Sequence, residues 1–340
     1  MKDVTALTLR QAAAAIAERR VRAEALVEAS LDRIERLQPT LNCFIRIAAE
    51  AARAKARAAD MSVNAGHALG PLHGVPLAHK DMFYRAGEVC TCGSKIRAGF
   101  VPDHTASVLA RLDAAGAIEL GRLNMAEFAL GPTGHNDHFG RCRNPWNPDH
   151  ISGGSSSGSG AAVAAGLVFG ALGSDTGGSV RLPAAMCGVV GIKPTQGRVS
   201  RYGAMPLSHS LDCIGILART VGDCARLLSI IAGSDERDST ASRRPAEDFE
   251  HGLNEAADAN ALASVTVGIP DRYYYEDIDH EVAELLAKSR AVLACRAGLN
   301  SLLRRCYRAA IAAGGACCRC GTGGDDRTWG GAQRAGRSRA

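Results

Sequence analysis

The sequence predicts an α/β fold: one mixed central sheet with helices on both faces. Three observations carry that expectation. Segments with helical periodicity alternate with short apolar runs of strand length between residues 8 and 293. Of 340 residues, 46 % are hydrophobic but only 4 % aromatic, so the core must be built from Ala, Val, Leu and Ile. No run of 18 or more apolar residues is present, so no membrane-spanning helix is expected.

Thr8 is placed to cap a helix over 9–19. A second helix is expected over 23–37, with Leu26, Ala29, Ile34 and Leu37 on or near one face. Pro39 is expected to end it, because proline has no N–H to give to the preceding turn. Residues 41–45 read as a strand and 48–59 as an Ala-rich helix. Residues 107–116 read as a helix and 117–120 as a strand. Later, 219–223 open a helix over 224–232, 265–270 form a buried strand, and 279–293 an amphipathic helix. The polar stretch 234–260 is expected to be a surface excursion.

Residues 70–83, G-P-L-H-G-V-P-L-A-H-K-D-M-F, read as a turn and a buried strand ending on Lys80. Two readings of Lys80 stay open from the residues alone. It snorkels to the surface, or it is buried and its pKa falls. His79 faces the opposite side of the strand and is read as structural. Asp81 is read as a local hydrogen-bond partner. Within 121–131, Asn124 is suited to cap a helix. His135, His138, Cys142 and His150 fit no zinc spacing, so no metal is expected.

Two glycine-serine turns, 153–160 and 177–179, bracket an apolar run rich in Ala and Val. A linker is not followed by such a run, and a phosphate loop would need G-x-x-x-x-G-K-[ST]. A helix starting near Ser159 points its free N–H groups at the first turn. The second turn, D-T-G-G-S at 175–179, offers successive backbone N–H groups to a developing oxyanion. Chemistry alone leaves a serine nucleophile open without deciding it, since no G-x-S-x-G elbow is present.

With G-G-S-S at 153–156, D-T-G-G-S at 175–179 and G-I-K-P-T at 191–195 in order, the stretch closely resembles the amidase signature family. The resemblance covers roughly residues 8–293, including 121–131, 143–148, 197–203 and 208–212. It implies the amidase signature fold, a mixed sheet flanked by helices on both faces. It implies hydrolysis of a small-molecule carboxamide through an acyl-enzyme. Carried over position by position, Ser179 falls on the nucleophile, Lys80 on the base, and Ser155 on the bridging serine, whose peptide bond is typically cis. Ser156 is one residue off that register, and Ser157 and Ser159 fall where the family varies. The resemblance gives the backbone N–H groups of Thr176, Gly177, Gly178 and Ser179 the oxyanion hole, and makes Asp175 and Arg181 braces of the turn. It implies no metal and no organic cofactor, and leaves a homodimer open. The amidase-family subunit of glutamyl-tRNA(Gln) amidotransferase is similar throughout. It works beside a tRNA-binding partner, so nucleic acid enters only indirectly. Residues 205–212, M-P-L-S-H-S-L-D, look more like stand-alone amidases.

The resemblance stops near residue 293. Residues 294–340 are Arg/Gly/Cys-rich without a clear period, and read as a frameshifted tail from a GC-rich gene. A disordered basic tail and a metal cluster at Cys317, Cys318 and Cys320 are the alternatives. Two regions follow: an amidase signature domain over 1–293, C-terminally incomplete, and the anomalous tail over 294–340. An inactive fragment is therefore a third expectation beside the hydrolase and the amidotransferase subunit. Residues 291–340 carry nine Arg and two Asp, so the chain's net charge of +5 belongs to the tail. The near-neutral body offers no nucleic-acid surface. The N-terminus has no apolar signal core, and the scattered cysteines suit a reducing compartment, so a cytoplasmic location is expected.

Overall fold

The computed structural model describes residues 3–253, 268–270, 274–296 and 304–306. The chain divides into two compact units, Met1–Leu253 and Asn254–Ala340.

In the first unit the strands are β1 (Phe44–Ile47), β2 (Pro76–Lys80), β3 (Ile118–Leu123), β4 (Gly170–Asp175), β5 (Val190–Ile192) and β6 (Cys213–Ala218). The helices are α1 (Leu9–Ala17), α2 (Ala23–Leu41), α3 (Ala49–Asn64), α4 (Ser107–Ala114), α5 (Ser157–Ala164), α6 (Arg181–Cys187) and α7 (Val221–Ile231). The strands form one mixed sheet in the order β1-β3-β2-β4-β6-β5. β2 lies parallel to both β3 and β4, and the outer pairings are antiparallel. This is the mixed α/β architecture that the sequence predicts.

Side-chain alternation along β4 separates two helical layers. A Cβ on Gly170 would meet Leu9 of α1 and Leu227 of α7. One on Gly173 would meet Ser156 and Val180, at the starts of α5 and α6. The core between the layers is aliphatic, with Phe44, Phe83 and Phe169 as its buried aromatic side chains. Because β2 and β4 are parallel central neighbours, their last residues, Lys80 and Asp175, lie at the same end of the sheet.

Local chemistry explains most boundaries. Thr8 and Gln11 form a reciprocal capping box at α1: Gln11 N–H donates to Thr8 Oγ1 (3.2 Å), and Thr8 N–H to Gln11 Oε1 (2.9 Å). α2 does not stop at Pro39 but runs to Leu41. The proline forfeits one N–H, yet the end is held elsewhere. Asn42 is left-handed and its N–H donates to Gln38 O at 2.8 Å. The Gln38 amide bonds both Phe44 N (3.0 Å) and Phe44 O (2.8 Å). The helix expected after Asn124 does not form, and a single 3-10 turn covers Glu127–Ala129. The Asn124 Nδ2 instead donates to Asn42 O and Gly140 O, binding the β1 and 132–142 segments together.

In the second unit, β7 (Gly268–Pro270) pairs parallel with β8 (Arg304–Cys306), and α8 spans His280–Arg296. The strand expected over 265–270 is present at 268–270, and 265–267 lie outside the described residues. Residues 234–253 carry no helix or strand, and 254–260 lie outside the described residues. Most of the expected tail also lies outside them: 297–303 and 307–340, with Cys317, Cys318 and Cys320. Among the described residues, no helix is long and apolar enough to cross a membrane.

Candidate active site

The site is assembled where β2 and β4 end. Lys80 closes β2, and all five residues of that strand are buried. The Lys80 side chain is itself fully buried. It donates to Ser155 Oγ at 2.7 Å and to Ser174 Oγ at 2.8 Å. Burial is the largest influence on the amine and pulls its pKa down to about 7. The Asp175 and Asp212 carboxylates oppose that pull, as does Cys92. The snorkelling alternative is thus replaced by a buried lysine. His79, one residue earlier, faces the other layer. Its Nδ1 accepts from Leu172 N–H at 3.3 Å, and burial lowers its pKa to about 4, so the imidazole is neutral at pH 7. Asp81 accepts from Thr91 through both its N–H and its hydroxyl.

The first glycine-serine turn is held from every side. The Gly154–Ser155 peptide bond is cis. Gly153 is left-handed, and a Cβ there would strike the Pro183 backbone at 2.8 Å. α5 begins at Ser157, two residues before the expected start. Most serine hydroxyls here are internal staples: Ser157 donates to Asn124 O, Ser159 to Leu172 O, and Ser156 to Ser174 O. Ser155 differs, because its hydroxyl meets the lysine amine.

The second turn wraps Asp175. Gly178, Val180 and Arg181 N–H groups donate to its carboxylate at 2.9, 3.1 and 3.3 Å. The Arg181 guanidinium adds bonds of 3.0 and 2.8 Å. Burial alone would raise the Asp175 pKa; the bonds from Arg181 and the backbone outweigh it and hold the carboxyl low. Of the four expected oxyanion donors, the Gly178 N–H donates to Asp175 Oδ1. Thr176, Gly177 and Ser179 N–H groups have no hydrogen-bond acceptor among the described residues. The two turns are joined directly, since Ser156 N–H donates to Ser179 O at 3.2 Å.

The structure thus brings Lys80, Ser155, Asp175, Thr176, Ser179 and Arg181 into one locale. It adds two residues to which the sequence alone assigns no role. Ser174 is the second partner of Lys80. Its signal is its place on the strand that carries Asp175, which is informative only once β4 is known to lie beside β2. Asp212 accepts from Thr176 Oγ1 at 2.6 Å. Beside these groups lies a cavity of about 260 Å³, lined by Ser174, Asp212, Met82, Tyr202, Met205 and Ile214 among others. His135, His138, Cys142 and His150 are not gathered, and no metal-holding cluster exists among the described residues.

Comparison with known proteins gives the family. A family model for amidases matches residues 25–300. The chain belongs to the amidase family. Over 279 residues it is 48 % identical to a glutamyl-tRNA(Gln) amidotransferase subunit of Methylococcus capsulatus, covering 82 % of this chain and 56 % of that one. The crystal structure of the corresponding Thermotoga maritima subunit matches with a TM-score of 0.76 at 35 % identity, over 90 % of this chain and 62 % of that one. The native peptide amidase of Stenotrophomonas maltophilia matches with a TM-score of 0.77 at 32 % identity, over 86 % and 60 %. The chain spans little more than half the length of the curated relatives it matches. The proteins this chain is similar to thus include both amidotransferase subunits and a peptide amidase.

Proposed function

We propose that this chain hydrolyses a carboxamide through Ser179, Ser155 and Lys80. The observation that carries the reading is the buried Lys80 amine, 2.7 Å from Ser155 Oγ and with a pKa drawn down to about 7. A lysine in that state is neutral in much of the population near pH 7 and can act as a base there. Lys80 takes the Ser155 proton as Ser155 takes that of Ser179. The Ser179 oxygen attacks the amide carbon, and the carbonyl oxygen becomes an oxyanion. Thr176, Gly177 and Ser179 N–H groups are the donors for it, each of a kind worth about 2.7–4 kcal/mol elsewhere. The proton returns through Ser155 to the leaving nitrogen, the C–N bond breaks, and an ester on Ser179 remains. Water, deprotonated along the same route, releases the carboxylate and restores Ser179.

The amide's identity has a second reading. The curated relatives are subunits of glutamyl-tRNA(Gln) amidotransferase, which favours glutamine as the ammonia donor, with a partner protein carrying the tRNA. A cytoplasmic setting agrees with either, because the seven cysteines of the first unit are free thiols.

The test is fluorophosphonate labelling of the whole chain, read by intact mass and peptide mapping. The expected result is one adduct on Ser179, absent in Lys80→Ala and Ser179→Ala. No adduct on a soluble, folded chain would mean an inactive member of the family.

A further inference from the structure

Asp212 is outside the reacting set, yet its position is unusual. It is only 8 % exposed, and both carboxylate oxygens are engaged. Oδ1 accepts from Thr176 Oγ1 at 2.6 Å. Oδ2 accepts from Leu207 N–H at 2.8 Å and Ser208 N–H at 2.9 Å. The ladder explains the contact to Thr176. β4 and β6 are antiparallel, and their last pair is Asp175 with Cys213. One step further along each strand brings Thr176 opposite Asp212. The segment leading to Asp212 is anchored at its other end to the extension of β2. Met205 N–H donates to Met82 O (3.0 Å) and Tyr84 N–H to Gly203 O (2.7 Å). Asp212 therefore closes a ring of three segments: the continuation of the Lys80 strand, the 203–212 loop, and the turn that carries Ser179. The cavity of about 260 Å³ lies among them.

We propose that Asp212 is a positioning residue that fixes the Thr176–Ser179 turn relative to the Lys80 strand by gripping Thr176 Oγ1. This inference rests on the Ser179–Ser155–Lys80 reading. A buried carboxylate accepts all three donors at once, which an amide, with a single accepting oxygen, cannot do. Loss of the grip lets the turn shift, and a displacement of about 1 Å in such a site costs about 100-fold in rate. Asp212 has a second effect that a purely mechanical clamp lacks. Its charge favours the protonated form of Lys80, as do Asp175 and Cys92, against burial. The groups around Asp212 itself are Thr176, the Leu207 and Ser208 amides, and Arg201, whose Nη1 donates to Asp212 O at 3.4 Å.

The experiment is the rate of fluorophosphonate labelling at Ser179 across pH, for the wild type, Asp212→Asn, Thr176→Val and the double variant. Asp212→Asn is expected to lose about 100-fold in the maximal labelling rate, with little change in probe affinity. Thr176→Val is expected to be slower than wild type in the same parameter. The double variant should be no slower than Asp212→Asn, since both act through one bond. The acid limb of the profile should move to lower pH in Asp212→Asn and stay in place in Thr176→Val. Labelling of Asp212→Asn at the wild-type rate overturns the proposal, and so does a wild-type rate in Thr176→Val. If Asp212→Asn does not fold, Thr176→Val alone decides by the same criterion. A wild type that takes no label at Ser179 removes the triad reading and this proposal with it, an outcome separate from the others.

Discussion

Lys80 shows how far one buried charge reaches. Its folded pKa is about 7 against an ordinary value of 10.5, with burial as the main cause. Above 10.5 the amine is neutral in both folded and unfolded chains. Between about 7 and 10.5 the unfolded chain binds a proton that the folded one does not, so stability rises with pH in that window. Below about 7 both forms are protonated and the cost of burying the cation is complete. Lys80→Met removes that cost. Its urea midpoint should exceed the wild type's most below pH 7, with the gap shrinking as pH climbs toward 10.5; a gap independent of pH would rule out a desolvated lysine. In the proposed mechanism the same titration governs Ser179 labelling, which should rise with one-proton dependence through about pH 7. Ser174→Ala deletes one of the two hydroxyls on the amine. The net worth of such a bond is roughly 0.5–1.5 kcal/mol, so labelling should slow about two- to tenfold. A loss as large as that of Lys80→Ala would make Ser174 part of the proton route rather than a support.

At the scale of elements, α5 matters most, because it carries the Ser155 turn into the sheet. Its residues from Ser157 to Val163 are all buried, and its small side chains let it lie close on β4 and β3. The closest approach is at Gly158, where a Cβ would stand 2.4 Å from Cys43 O and 2.6 Å from Asn124 N. Both are backbone atoms and cannot swing aside. Gly158→Ala should therefore destabilise by about 1–3 kcal/mol, read as a lowered denaturant midpoint. It should also slow labelling, since the shift is passed to Ser155. α7 gives a contrasting case far from the site. Thr220 Oγ1 accepts from Asp223 N–H at 3.1 Å, so Thr220→Ala should cost about 1 kcal/mol of stability while leaving the labelling rate unchanged.

On the scale of the whole molecule, every residue assigned to the site lies in the first unit, Met1–Leu253. The matched amidotransferase subunits are nearly twice as long as the matched stretch. If glutamine is the substrate, ammonia release should be slow for the isolated chain and rise on adding the partner proteins of a related amidotransferase. Equal turnover with and without them, together with activity on simple carboxamides, would favour a stand-alone hydrolase.

The sequence by itself determined the alternation of helices and strands, the burial of the 75–80 strand and the order of the signature turns. These follow from local periodicity, capping and glycine placement, which a linear chain records. Thr8 with Gln11 and the end of β2 at Lys80 are legible in that way. Pro39 and Asn124 depart from expectation for a physical reason: their fates depend on partners beyond the helix turn itself, the Phe44 backbone that holds the Gln38 amide and the Gly140 carbonyl that takes the Asn124 amide. Only the tertiary structure decided that Gly178 N–H turns to Asp175, that Ser174 meets Lys80 and that Asp212 grips Thr176. The last two contacts depend on where a strand ends relative to its neighbour, and the first on how the local turn folds back on its own carboxylate. Sheet register brings together residues dozens of positions apart, and no local pattern encodes it.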